Sequence, residues 1–298
     1  MTVPPRWLRL IALVAVVLAS ATCFVTLKAA LEQAPPLRLV ALRLLIGGAM
    51  LLALFPVMGI RLVPSRDLWP WIIVLGIAVT AFAYGTMAIS LGFTGAGIAS
   101  VLGNSQPLLA VALGAWLLGE RLTRMRLLAL LLGLVGVVLV AFPATSEMAV
   151  GGQIGPLLAL ASSVGLVTAS VIVKHVGPGV SRLMLAAWPL VLSSVPLFLL
   201  SLALEPDPKI TWSFQFISLL LFLGIPGTAL LTLTWYWLLR HGDLGRLPLF
   251  FYAVPAVGFG FSWVLYAEPI TPQELGGIML ILLSIAAIFS EEWQAGQD

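Results

Sequence analysis

Two amides and one guanidinium lie inside long apolar runs of this sequence, where a polar side chain needs a partner. Asn104 and Gln106 share one apolar run, and Arg43 lies in another, seven residues after Pro36. A polar or charged group is costly in apolar surroundings unless a neighbouring segment or water satisfies it. The two amides are therefore candidates to line a polar cavity, with hydrogen bonding between helices as the alternative. Arg43 is a candidate partner for an anionic substrate group or a gate, unless its side chain reaches back to a polar surface.

Hydroxyl and aromatic side chains recur at helical spacing in other apolar runs, where residues three, four or seven positions apart share one face. Such faces are formed by Thr80, Tyr84 and Met87, by Thr228, Thr232 and Trp235, and by Ser163 and Ser170. A single hydroxyl usually bonds its own helix or a neighbouring helix, but several such faces together would form an amphipathic pocket with aromatic walls. The candidate substrate-binding residues are Arg43, Tyr84, Asn104, Gln106, Ser163, Thr232, Trp235, Tyr236 and Tyr252.

The composition places these runs in a membrane. Hydrophobic residues make up 61% of the 298 positions and charged residues 9%, and the mean hydropathy is +1.11. Apolar runs of about twenty residues are long enough for α-helices to cross a bilayer, so we expect an all-α integral membrane protein. Breaks at proline, glycine and charged residues predict ten transmembrane helices. Their ranges are 8–31, 36–58, 68–91, 96–118, 125–142, 154–174, 182–204, 213–239, 246–267 and 273–290.

The basic residues predict the orientation of these helices. If the N-terminus is cytoplasmic, eleven of the fifteen lysines and arginines fall on the cytoplasmic side. Because basic loops stay in the cytoplasm, we expect a multi-pass protein of the inner (plasma) membrane with both termini cytoplasmic. The first apolar run continues past a small-residue stretch that resembles a signal-peptide cleavage site, and we expect it to be retained as a helix.

A stretch of the first half returns in altered form in the second half. Residues 107–123 and 255–271 share a proline, a leucine, a glutamate and a threonine at a constant spacing of 148. We therefore predict two five-helix repeats, residues 1–147 and 148–298. An odd number of helices per repeat inverts the second copy in the membrane. In agreement, the three arginines that follow Glu120 are replaced by two prolines and a glutamate after Glu268.

The repeated prolines, Pro107 and Pro255, predict local breaks in the helical backbone. Proline has no N–H, so it leaves the carbonyl four residues earlier without its helical partner; here these are the carbonyls of Gly103 and Phe251. We expect both prolines to act as hinges that shape a substrate cavity. The alternative is that they are kinks tolerated by packing.

Several chemistries are disfavoured by what the chain lacks. The predicted helices from the third onward carry no Asp or Glu away from their ends, and the chain has one cysteine and two histidines. Without an H-E-x-x-H motif or a buried acid pair, we expect no metal, no cofactor and no enzymatic activity. Export of cationic drugs is disfavoured because it usually needs a buried carboxylate. We expect no nucleic-acid partner, since no soluble domain remains to bind one.

Residues 119–123 read Gly-Glu-Arg-Leu-Thr and follow an apolar helix that contains a proline. This motif, together with the two-repeat layout of the whole chain, resembles the EamA-type repeat of the drug/metabolite transporter superfamily. An arginine that commonly precedes an apolar run in the second helix of that family is matched by Arg43. The second half departs from the pattern, with Ala-Glu-Pro at 267–269 and no counterpart of Arg43. The resemblance implies inner-membrane transport of small organic metabolites, often export, through a central cavity between the repeats.

These observations predict an alternating-access transporter that exports small metabolites, with amino acids, aromatic or otherwise apolar, as the first choice. A channel-like facilitator and a transporter of nucleotide-linked or phosphorylated metabolites are the alternatives. The phosphorylated cargo would need several basic residues at mid-membrane, and only Arg43 approaches that depth. The expected partners are the small-molecule substrate and the lipid bilayer, and the expected oligomeric state is a monomer.

Overall fold

The computed structural model describes residues 5–93, 102–104, 106–107, 109–110, 123–141, 154–176, 180–205, 209–241, 247–254, 257 and 272–294. Within this part of the chain the regular structure is entirely helical. The helices are α1 (Arg6–Leu31), α2 (Pro36–Ala53), α3 (Trp69–Ile73 and Phe82–Phe93), α4 (Arg124–Ala141), α5 (Ile154–Val176), α6 (Arg182–Leu204), α7 (Phe214–Gly224 and Leu231–Leu239) and α8 (Pro272–Gln294). Short 3₁₀ helices occupy Arg66–Leu68 and Leu247–Tyr252.

These helices coincide with eight of the predicted ranges. The predicted helices at 96–118 and 246–267 lie largely outside the described residues, so the total of ten remains a prediction. Residues 247–252 form a 3₁₀ helix where an α-helix was expected. Helix α2 ends at Ala53, before the predicted boundary at 58, because Pro56 cannot continue the helix and Gly59 reverses the chain at a φ of 63°.

The length and the outer surface of these helices suit a bilayer. Five helical spans in the described residues are long and apolar enough to cross a membrane: Pro36–Ala53, Arg66–Ser90, Leu157–Val176, Arg182–Leu204 and Phe214–Leu239. Large apolar side chains face outward along α6, where Leu199 is 59% exposed and Leu202 is 58% exposed. Lipid rather than water is the favourable surrounding for such a surface.

Small residues allow the helix backbones to approach closely. Among the described helices, the most extensive interfaces join α2 to α6, α4 to α8, and the second part of α3 to α5. A Cβ atom on Gly48 of α2 would lie only 2.6 Å from Val191 Cγ2 of α6, and one on Gly136 of α4 would lie 2.6 Å from the Gly277 carbonyl of α8. Van der Waals packing of this kind holds membrane helices together, because the hydrophobic effect adds little within a bilayer.

Helices α3 and α7 each change to π-helical geometry in their middle, at Val74–Ala81 and Ile225–Leu230. Both places carry Leu-Gly-Ile followed by Thr-Ala, at 75–81 and 223–229, which is again a spacing of 148. The packing is reciprocal. A Cβ on Gly76 would lie 3.0 Å from the Pro189 carbonyl of α6, and one on Gly224 would lie 3.3 Å from the Arg43 carbonyl of α2. Each π segment therefore packs against a helix of the other half of the chain.

The α2–α6 contact is open to a direct test. We expect Gly48→Ala to lower the free energy of unfolding by about 1–3 kcal/mol, because the added methyl group overlaps the Val191 side chain and its backbone nitrogen, 2.8 Å away. Reversible unfolding in mixed micelles measures the change. Gly276→Ala in α8 is the matched control, since no atom lies within 4 Å of the added methyl group. Equal stability of the two variants would contradict this packing.

A candidate substrate cavity

A cavity of about 180 Å³ lies among helices α1, α2, α3, α5, α6 and α7. Seven of the nine predicted substrate-binding residues contribute to its wall. They are Arg43, Tyr84, Asn104, Gln106, Thr232, Trp235 and Tyr236. The structure thus brings residues from four separate sequence segments to one site. Ser163 and Tyr252 lie outside this wall.

Arg43 is buried within the bundle, with 7% of its surface exposed. Its Nε donates a hydrogen bond to Thr228 Oγ1 at 2.6 Å, and its Nη2 donates one to the Gly227 carbonyl at 2.9 Å. The guanidinium carbon also lies 5.4 Å from the centre of the Tyr84 ring, a cation–π contact. The side chain therefore bonds to α7 in the core, and the alternative in which it reaches back to a polar surface does not hold in this structure.

The π segment of α7 supplies these acceptors. Its hydrogen bonds run over five residues, which interrupts the usual α-helical pairing, and Pro226 contributes no N–H. The Thr228 hydroxyl donates a hydrogen bond over the same interval of five residues, to the Leu223 carbonyl at 2.8 Å. The Gly227 carbonyl is then available to Arg43 and to the Cys23 thiol, whose sulphur lies 3.5 Å away. A distorted helix thus provides neutral acceptors to a buried cation.

An aromatic wall lies beside this polar group. The Trp235 and Phe251 rings meet edge to face, with their centres 4.9 Å apart. Trp235 Nε1 donates a hydrogen bond to Ser170 Oγ at 3.1 Å, which satisfies the only polar atom of the indole side chain. Tyr84 and Thr232 line the same cavity. The cavity wall therefore combines one cation with aromatic side chains.

Pro107 has the effect on its neighbours that the sequence predicts. The Gly103 carbonyl, four residues earlier, accepts hydrogen bonds from Ser163 Oγ at 2.8 Å and from Gln106 Nε2 at 3.3 Å. Ser163 also lies 2.5 Å from the Leu102 carbonyl. Ser163 therefore supports the irregular backbone, while the adjacent Ser162 lines the cavity. Pro255 lies outside the described residues, and the hinge role of both prolines remains a prediction.

Tyr252 is fully buried away from the cavity. Its ring packs on α4, where a Cβ on Gly133 would lie 2.1 Å from the Tyr252 ring atom Cδ2. Its hydroxyl is 3.5 Å from the Leu130 carbonyl. These contacts give Tyr252 a packing role between α4 and the 3₁₀ helix.

Some residues of the cavity wall were not predicted from the sequence. Cys23, Gly227 and Pro189 line the cavity but were not candidates. The Pro226-Gly227 pair within an apolar run was a usable signal, since such pairs mark backbone irregularity. Cys23 carried no comparable signal, because one thiol in an apolar helix is ordinary core. No group of three potential metal-ligating side chains occurs among the residues that the structure describes.

This arrangement, an apolar helical bundle with a central amphipathic cavity, defines the architecture of a membrane transporter. The model of the EamA-like transporter family matches the chain twice, over residues 7–142 and 153–290. The chain therefore belongs to the EamA-like transporter family, as its sequence motif indicated.

Relatives of the chain are also named as transporters. An uncharacterized transporter of Bacillus subtilis, YvbV, is 31% identical over 265 residues, which cover 88% of this chain and 85% of that protein. A probable amino-acid metabolite efflux pump of Salmonella typhimurium is 30% identical over 278 residues, with 88% of each chain covered. A protein of the same description from Escherichia coli is 26% identical, with 91% of each chain covered.

The fold is also that of a solved crystal structure. That structure matches with a TM-score of 0.81 at 24% identity, and the match covers 94% of this chain and 97% of the other. At this identity the likeness concerns the fold alone.

The hydrogen bond from Ser163 to the Gly103 carbonyl predicts that substitutions at Ser163 and Pro107 have non-additive effects on stability. We expect Ser163→Ala to lower the free energy of unfolding by about 1–3 kcal/mol, because the Leu102 and Gly103 carbonyls lose the hydroxyl hydrogen that they share. Pro107→Ala restores an N–H for the Gly103 carbonyl, so the cost of Ser163→Ala should fall in that background. A double-mutant cycle in mixed micelles measures the difference. Ser218→Ala is the control, since this hydroxyl bonds only within its own helix, to the Phe214 carbonyl. Equal costs in both backgrounds would refute the coupling.

Proposed function

We propose that this transporter exports small organic metabolites, first among them amino acids with aromatic or other apolar side chains. The observation that carries the proposal is the buried Arg43 in the wall of a cavity that Trp235 and Phe251 also line. A guanidinium binds a carboxylate with two parallel hydrogen bonds, and an aromatic wall accepts an apolar side chain. The seven cavity-lining residues predicted from the sequence are the proposed substrate contacts.

Two relatives support the choice of substrate and direction. Both the Salmonella and the Escherichia coli proteins are named as probable amino-acid metabolite efflux pumps. Their alignments cover 88% and 91% of this chain. We carry efflux and the amino-acid class over to this chain on that basis, together with a transport rather than an enzymatic role.

Alternating access between two inverted five-helix repeats is the proposed mechanism. The family model matches residues 7–142 and 153–290 separately, and the proposed boundary between the repeats at 147/148 falls between these matches. The constant spacing of 148 and the reciprocal packing of the two π segments also support related halves. In this mechanism the halves rock about the central cavity, with Pro107 and Pro255 as hinges, and expose it to each side in turn.

We propose an inner-membrane location with both termini in the cytoplasm. In support, basic residues converge at the end of the bundle where α1 begins. Arg9 Nη1 donates to the His241 carbonyl at 3.4 Å, and Arg240 donates to the Val180 carbonyl. Burial and the neighbouring Arg182 guanidinium lower the pKa of Arg240. Arginines concentrated at one end are typical of a cytoplasmic face. The bilayer and the substrate are the proposed partners, and a monomer the proposed state.

Exchange of labelled phenylalanine in proteoliposomes tests this function. We expect counterflow with the wild-type protein and a loss of about tenfold or more with Arg43→Gln, because charge-assisted hydrogen bonds contribute about 1.5–3 kcal/mol. Arg124→Gln is the matched control, since Arg124 is exposed at the start of α4. Unchanged exchange by Arg43→Gln would contradict the assigned site. Ionic conductance in planar bilayers without counterflow would favour the channel-like alternative.

A further inference from the structure

The cavity has an unbalanced positive charge. Arg43 is the only charged side chain in its described wall. The sequence places no Asp or Glu at positions 1–31, 33–66, 68–119, 148–204, 208–242 or 244–267. Every segment that contributes to the cavity falls within these ranges, so no carboxylate of the chain reaches its wall from those segments. The described wall offers the guanidinium no opposite charge.

The contacts of Arg43 leave room for an anion. Its acceptors are the Thr228 hydroxyl and the Gly227 carbonyl, and its further neighbours are the Cys23 thiol and the Tyr84 ring, all of them neutral groups. Nη1 of Arg43 has no hydrogen-bond partner among the described residues. A carboxylate placed against this side of the guanidinium would supply the missing charge and accept hydrogen bonds from it.

An ammonium group of a substrate would find no partner of opposite charge in the described wall of this cavity. It would share the cavity with a guanidinium of like charge and would find no carboxylate. Three neutral acceptors near the cavity already accept hydrogen bonds: Thr228 accepts from Arg43, Ser170 from Trp235, and the Gly103 carbonyl from Ser163 and Gln106. The described wall of the cavity therefore offers a second, positive group no opposite charge.

We propose that the cavity selects monoanionic apolar carboxylates, and that an α-amino group on the substrate weakens binding. This inference rests on the proposed export function, and it ranks carboxylates that lack an amino group above the corresponding amino acids. Recognition depends on one carboxylate at Arg43 and one apolar or aromatic group against the wall formed by Trp235 and Phe251.

Four probes with a common phenyl group separate these contributions: 3-phenylpropanoate, L-phenylalanine, 3-phenylpropanamide and phenethylamine. We expect 3-phenylpropanoate to bind about tenfold tighter than L-phenylalanine, and the neutral amide and the amine to bind more weakly than either. Calorimetric titration of the full-length protein in detergent at pH 7.5 measures the four affinities. Binding is measured in place of transport because protonated carboxylic acids cross bilayers unaided.

A variant comparison locates the effect. Arg43→Gln should abolish the preference for 3-phenylpropanoate over its amide, while Thr168→Val, an exposed change within α5, should preserve it. The wild-type series decides the proposal even if Arg43→Gln fails to fold. Binding of L-phenylalanine that equals or exceeds that of 3-phenylpropanoate would overturn it, and so would a preference for phenethylamine. Counterflow of phenylalanine is scored separately, so amino-acid export can stand while the monocarboxylate preference falls.

Discussion

Arg43 donates hydrogen bonds to Thr228 and to the Gly227 carbonyl, and this contact constrains much of the surrounding structure. A buried guanidinium without a counter-ion needs several neutral acceptors, because desolvating the charge is costly. The acceptors come from a π segment, so α7 must depart from α-helical geometry at that depth. A Cβ at Gly227 would lie 2.4 Å from Cys23 Sγ, so a larger residue there would displace the thiol. The contacts of this one cation therefore constrain how closely α1, α2 and α7 pack against each other.

The cavity forms where helical hydrogen bonding is interrupted. The π segments of α3 and α7 both contribute to its wall, and the break before Pro107 adds Gly103, Asn104 and Gln106. Non-helical backbone at membrane depth is tolerated only where protein or a cavity satisfies its polar groups. Here Ser163 satisfies the Gly103 carbonyl, and Arg43 satisfies that of Gly227. Polar side chains and irregular backbone therefore occur together, because each supplies hydrogen-bond partners to the other.

The two halves contribute unequally to this site. At the spacing of 148 that relates the two halves, Arg43 corresponds to Val191, so the second half supplies no matching cation. A symmetric arrangement would place a second cation opposite the first, and their repulsion would favour a dianionic or phosphorylated ligand. The single charge, set beside Trp235 and Phe251, instead favours a ligand with one anionic end and one apolar end. The two halves therefore have related sequences, but only the first half contributes a charged side chain to the described wall of the cavity.

Sequence alone determined the membrane class, the family motif, most helix boundaries and seven residues of the cavity wall. These follow from apolar run length, from proline and charged breaks, and from the cost of burying Asn104, Gln106 and Arg43, which are all local properties. Only the tertiary structure decided that Arg43 bonds to α7, that Ser163 supports a backbone break, and that Tyr252 packs on Gly133. Such choices depend on how each helix is rotated against its neighbours and where its hydrogen-bond register shifts. Helical periodicity does not specify either, because packing across the bundle determines both.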